Sequence, residues 1–161
     1  SPKSVFEIGC AGGPFLGELR EHYGGIIIGG MDITKSDLES AKDKFMRYSF
    51  SDFLLHNLVE TPWPIKDKSW DVVFCIGVLM YIFEPEKVIN ECLRIGKKFI
   101  LAEFHRDETD EWGVMTKITQ GETIQGTGIT RNYIKLLDKM GIKYEIKEFN
   151  PPYKTIISCQ K

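Results

Sequence analysis

Two apolar periods alternate along this chain. "SVFEIG" (residues 4 to 9) is a short β-prone run, and Pro14 then stands where a helix over "FLGELREHY" takes its first residue. "IIIGGMDI" (26 to 33) predicts a second strand. "SDLE", from Ser36 to Glu39, has the spacing of a capping box and predicts a helix through about Arg47. "DFLLHNL" (52 to 58) and "WDVVFCIG" (70 to 77) predict the next two strands, with the proline-bearing "ETPWPIKDKS" as the loop between them. Val88, Ile89, Cys92 and Leu93 share a face of a helix from Glu84 to about Ile95, and "KKFILAEF" (97 to 104) predicts a fifth strand. From His105 to Gly128 no clean period is legible. Thr130 is the expected cap of a helix whose Tyr133, Leu136, Leu137 and Met140 share a face and which Gly141 ends. "KYEIKEF" (143 to 149) and "YKTIISCQ" (153 to 160) predict two closing strands. Their join, Asn150-Pro151-Pro152, is short enough to require an antiparallel hairpin.

Strand and helix in alternation describe a layered α/β domain with a mostly parallel sheet, and 161 residues with 42% hydrophobic content suit one domain spanning 1–161. The 21 basic and 23 acidic residues create no broad field for a polyanion, so no nucleic-acid partner is indicated. Cys10, Cys75, Cys92 and Cys159 lie far apart with no CxxC pair or Cys/His cluster; they read as reduced, mostly buried thiols, and no metal site is expected. The longest apolar stretch, Val72 to Phe83, is too short to span a bilayer, and no signal peptide opens the chain. A cytoplasmic protein without membrane association is the expectation. The opening "SPKSV" has no initiator methionine and is read as a trimmed N-terminus.

The densest chemical signal is "FEIGCAGGPF", a strand running into glycines and then a helix, where small residues admit a ligand to the backbone and a helix N-terminus offers free N–H groups. The dinucleotide spacing G-x-G-x-x-G fails, because its places are held by Gly9, Ala11 and Pro14. A nicotinamide oxidoreductase is disfavoured for that reason. The spacing acid-x-G-x-G-x-G is met by Glu7, Gly9, Ala11 and Gly13, with alanine in the middle place. In this the chain resembles the class I S-adenosylmethionine-dependent methyltransferases, and the likeness continues along nearly its whole length. It implies a Rossmann-like, seven-stranded, mostly parallel sheet flanked by helices, its last strand antiparallel, and S-adenosylmethionine as cofactor. By the same resemblance, Cys10 belongs to the cofactor loop. Asp32, with Ile33 beside it, receives the ribose hydroxyls, Asn57 and Leu58 hold the adenine, and Ile76 and Gly77 lie along the methionine portion. Asn57 stands where the family usually has Asp, and its amide oxygen can still accept a hydrogen bond. Asp32 as a solvated loop acid and Asn57 as a turn-former are the plainer alternatives. His56 reads as a strand-end histidine, and Trp63 and Trp70 as packing residues.

Asn150-Pro151-Pro152-Tyr153 has the letters of the tetrad that holds the target nitrogen in amine-directed methyltransferases. In those families it follows the fourth strand; here it joins the last two, so it reads as a turn. Tyr81 and His105 are the catalytic candidates, with Glu103 also near the strand ends that face the methyl group. The acidic stretch within 105–129 is long enough for a lid or acceptor-binding insertion, or else is a disordered acidic loop. The expected function is methyl transfer to a small metabolite or sugar-like acceptor at oxygen, nitrogen or carbon. The alternative is a cofactor-binding module of a heteromeric methyltransferase acting on protein or RNA. The capping helix that the family folds over its cofactor is not in this sequence, so a protein partner or second copy is an option for covering the site.

Overall fold

The computed structural model describes residues 1–47, 51–103, 114–120, 123–130, 132–148 and 155–160. The strands are β1 (Ser4–Ile8), β2 (Ile27–Asp32), β3 (Ser51–Leu55), β4 (Trp70–Ile76), β5 (Gly96–Ala102), β6 (Val114–Gln120), β7 (Thr123–Thr130), β8 (Lys143–Glu148) and β9 (Thr155–Gln160). The helices are α1 (Pro14–Tyr23), α2 (Lys35–Phe45), α3 (Pro85–Ile95) and α4 (Tyr133–Lys139), with a 3-10 turn, η1, at Leu79–Tyr81.

Seven strands form one sheet in the order β3-β2-β1-β4-β5-β9-β8. β1 to β5 pair in parallel, and β9 runs antiparallel between β5 and β8. This is the Rossmann-like architecture expected, with its closing antiparallel hairpin. Parallel strands are covered on both faces, which is why they read as nearly continuous apolar runs. Alternate residues of one strand therefore enter different cores. Val5, Ile28 and Val72 pack with Leu16 of α1 and Leu38, Ala41 and Phe45 of α2. Phe6, Ile8, Val73 and Cys75 pack with Val88, Ile89 and Cys92 of α3 and with Leu136 and Leu137 of α4. Trp63 and Trp70 are buried in this second core, and all four cysteines are buried and free.

Two caps differ from expectation. The N-cap of α2 is Thr34, and no side-chain bond caps it; Ser36 lies inside the helix, so the SDLE spacing makes no capping box. The N-cap of α4 is Asn132, whose side chain accepts from Lys135 N–H at 3.0 Å, while Thr130 is the last residue of β7. An amide at the cap satisfies one of the otherwise orphaned donors of the first turn. The stretch without a legible period holds the antiparallel pair β6–β7, a sheet of its own with a register irregularity at Ile118/Thr119. His105 and the Asn150 to Tyr153 join lie outside the described residues. Among the described residues no helix is long and apolar enough to cross a membrane, and no cluster of His, Cys, Asp and Glu could hold a metal ion.

Candidate active site

The chain rises from β1 into a loop in which Gly9, Ala11 and Gly13 all have positive φ, at 66°, 45° and 72°. Alternate left-handed residues fold this loop tightly enough to bring Pro14 directly into α1. At Gly9 a Cβ would meet Val78 Cγ2 at 2.6 Å, and at Gly13 one would meet Phe45 Cε2 at 2.6 Å, so both places require glycine for space as well as for φ. Ala11 adopts the left-handed region with a side chain, which costs about 1 kcal/mol.

The loop is stitched to the end of β2. Gly9 and Cys10 N–H donate to Met31 O at 2.8 and 3.1 Å, and Ala11 N–H donates to Asp32 Oδ2 at 2.9 Å. The other carboxylate oxygen, Oδ1, accepts Thr34 N–H at 2.8 Å, while Asp32 O accepts His56 N–H at 3.0 Å. Asp32 thus ties the ends of β1, β2 and β3 together. It is half-buried, and each carboxylate oxygen carries one backbone bond, leaving acceptor capacity on both.

A cleft of about 570 Å³ opens over these strand ends. Its position beside β1 and β4 is where the strand order reverses, the usual ligand crevice of an open α/β sheet. Of the residues singled out in the sequence, Gly9, Asp32, Ile33, Asn57, Leu58, Ile76, Gly77 and Tyr81 line it. Glu7, Cys10, Ala11 and Gly13 do not. Thr34, Val59, Val78 and Ile82 complete the wall and were not foreseen. Each directly follows a residue that was, namely Ile33, Leu58, Gly77 and Tyr81, so extending each segment by one position finds all four.

Polar groups gather over β2 and β3, and apolar ones after β4. Asn57 is also a turn-former: its Oδ1 accepts Val59 N–H at 3.3 Å and its carbonyl accepts Glu60 N–H at 3.0 Å. His56 is engaged with Glu60 O through Nε2 at 2.8 Å. Tyr81 stands on the rim, 63% exposed. Leu58 is buried, and its carbonyl accepts Trp63 Nε1–H at 3.0 Å. The loop that follows is clamped by Arg94, which reaches Trp63 O, Ile65 O, Asp67 and Glu91 at 2.6 to 3.0 Å. Glu91, also accepting Trp63 N–H at 2.7 Å, is held below the ordinary carboxylate range by Arg94.

Glu7 is buried on β1, and its Oε2 has no hydrogen-bond partner among the described residues. Burial first, and then the charge of Asp32, push its carboxyl up to about 8. Burial, reinforced by Glu7 and Asp32, likewise raises the Cys10 thiol to about 12, so it is no nucleophile at neutral pH.

Residues 6–99 match the model of the methyltransferase domain family. Over 95 residues the chain is 30% identical to the ubiquinone biosynthesis O-methyltransferase of Shewanella sp. (strain ANA-3), covering 59% of this chain and 39% of that protein. The chain thus spans about two fifths of the length of the curated relatives it matches. Among solved structures, a protein from Listeria monocytogenes described as an S-adenosylmethionine-dependent methyltransferase superposes with TM-score 0.71 at 21% identity, covering 99% of this chain and 91% of that one. The N-terminal domain of EvdMO1 with S-adenosylhomocysteine bound superposes with TM-score 0.75 at 13% identity, covering 99% and 75%.

Proposed function

The chain belongs to the methyltransferase domain family, and from that premise we propose that its cleft binds S-adenosylmethionine and directs the methyl group to an oxygen of a small-molecule acceptor. The observation that carries this reading is Asp32, half-exposed at the end of β2 with an open acceptor site on each oxygen. A vicinal diol matches that pair, and charge-assisted bonds to it contribute on the order of 1.5 to 3 kcal/mol each. Asn57 and Leu58 border the adenine position. The bare backbone at Gly9 and Gly77 admits the methionine chain, and the unpartnered Glu7 oxygen below suits its ammonium group.

The cofactor supplies an electrophilic methyl group on a sulfonium. Alignment of an acceptor opposite it, with water excluded, can account for most of the acceleration. Ile76, Val78 and Ile82 give the acceptor side an apolar wall, with the Tyr81 ring at its rim. β7 runs beside η1, which supports a lid role for 105–129 at this mouth. An acceptor with an apolar body and a hydroxyl fits this wall, and the names of the curated relatives support transfer to oxygen.

The test is calorimetry with S-adenosylhomocysteine and NAD, followed by transfer from labelled S-adenosylmethionine to a panel of phenols, sugars and amines. Binding of S-adenosylhomocysteine over NAD and labelling of a phenol are expected. Preference for NAD would sink the cofactor assignment, and transfer confined to amines would sink the oxygen assignment. Deleting residues 110–113 should abolish transfer and spare cofactor binding. A second reading has its own observation: Ile33, Leu55 and Val59 are exposed around the same mouth, an apolar rim suited to a partner subunit. Transfer that appears only when cell extract is added would favour it.

A further inference from the structure

We propose that Glu103 is a positioning residue for this site, its carboxylate fixing the turn after β4 and thereby the wall against which the methionine end of the cofactor lies. The inference rests on the cofactor reading above. β5 pairs with β4 so that Ala102 stands opposite Ile76, which brings the next residue, Glu103, beside the start of the turn. Glu103 is 2% exposed. Its Oε1 accepts Val78 N–H at 2.7 Å and Leu79 N–H at 2.8 Å, with the Cys75 thiol at 3.6 Å. Gly77 N–H donates to Ala102 O at 2.9 Å, so the end of β5 satisfies every backbone donor from Gly77 to Leu79. These are the donors that a helical turn leaves without internal partners.

What the turn carries makes this more than local bonding. Val78 Cγ2 fills the space where a Cβ on Gly9 would stand, so the turn's position sets how far the glycine loop's backbone is bared. Gly77, Val78, Tyr81 and Ile82 all line the cleft, and Tyr81 N–H closes back on Val78 O at 3.0 Å. Leu79 and Met80 are buried, which pins the turn from below while Glu103 pins it from the strand side. Oε2 has no hydrogen-bond partner among the described residues, and burial raises the carboxyl to about 7. A neutral amide could accept the same N–H groups without the burden of a buried charge, which makes Glu103→Gln the natural rescue variant.

The experiment compares S-adenosylhomocysteine with adenosine, by calorimetry on the full chain, for Glu103→Leu and Glu103→Gln. Adenosine reaches Asp32 and Asn57 but lacks the portion that lies along the turn. Glu103→Leu should weaken S-adenosylhomocysteine about tenfold or more and leave adenosine within threefold, with Glu103→Gln restoring the difference. Amide hydrogen exchange at Val78 and Leu79 should accelerate in the leucine variant and not in the glutamine variant. If Glu103→Leu does not fold, Glu103→Asp carries the same comparison, because a side chain one methylene shorter withdraws the acceptor. Equal loss for both ligands, or none for either, overturns the positioning role while leaving the cofactor reading intact. A wild-type chain that binds neither ligand overturns the cofactor reading itself.

Discussion

Asp32 ends β2 and Glu103 follows β5, and each carboxylate accepts two backbone N–H groups from the segment beside it. Asp32 divides its bonds between its two oxygens and stays half-exposed in the cleft, so both oxygens retain capacity for a ligand. Glu103 concentrates its bonds on one oxygen and is buried, so it serves the backbone of the turn and the Cys75 thiol. One local device thus leaves one acid open to the cleft at one strand end and one buried against backbone at another, and solvent access distinguishes them. Glu91 is a third case: buried like Glu103, but matched by Arg94, which holds its carboxyl low where Glu103 is raised.

Asp32→Ala should produce the largest effect if the contrast is sound. Losing two charge-assisted bonds to the ribose should weaken S-adenosylhomocysteine by on the order of 3 kcal/mol or more, above a hundredfold. Calorimetry that found Glu103→Leu more damaging to adenosine than Asp32→Ala would reverse the two roles.

Arg94→Met tests the matched acid. It strands Glu91 with Trp63 N–H alone, and loss of about 3 kcal/mol is expected, the low end for a broken buried pair because Arg94 keeps some exposure. Urea unfolding reads it, and a midpoint equal to wild type would show that the clamp on the 57–67 loop contributes nothing.

The pH dependence of stability sharpens the contrast further. Glu103 and Glu7 have carboxyls raised in the folded chain, to about 7 and about 8, so the folded state binds protons more tightly than the unfolded one. Their contribution is full below the ordinary carboxylate range and is lost as pH rises through those values. Ligand-free protein should therefore lose stability from about pH 5 to 8, with Glu103 responsible for ~2 kcal/mol. Denaturant midpoints for wild type and Glu103→Gln should diverge across that window; parallel curves would remove the buried-charge burden assigned to Glu103. The smallest effect is expected of Ala11→Gly. Relief of the left-handed alanine, about 1 kcal/mol, is largely offset by the unfolded-state freedom of glycine, so thermal unfolding should shift stability by less than about 1 kcal/mol.

The main sheet was legible because its central strands β1, β2, β4 and β5 are largely buried and announce themselves as apolar runs. The glycine loop was legible because close approach and positive φ demand small residues at fixed spacing, and its acid partner ends the next strand. The β6–β7 hairpin was not legible: it lies outside the main sheet, and its Thr, Ile, Lys and Gly residues set up no apolar face to count. Its one signal was the two-residue separation of β-prone runs at Gly121-Glu122, a glycine in the first place of a hairpin join. The α2 and α4 caps were each misplaced by two residues, because several polar residues near a helix start compete and the local backbone chooses among them.

By itself, then, the sequence determined the order of the main-sheet strands and the helices and the residues with the right chemistry for a cofactor, since periodicity and glycine spacing are local properties. Tertiary structure alone decided that Glu7 is buried while Asp32 faces the cleft, that Glu103 reaches Val78 and Leu79, and that Val78 rests on Gly9. Those are meetings between residues from different strand ends, and parallel pairing across distant segments is what brings them within bonding distance.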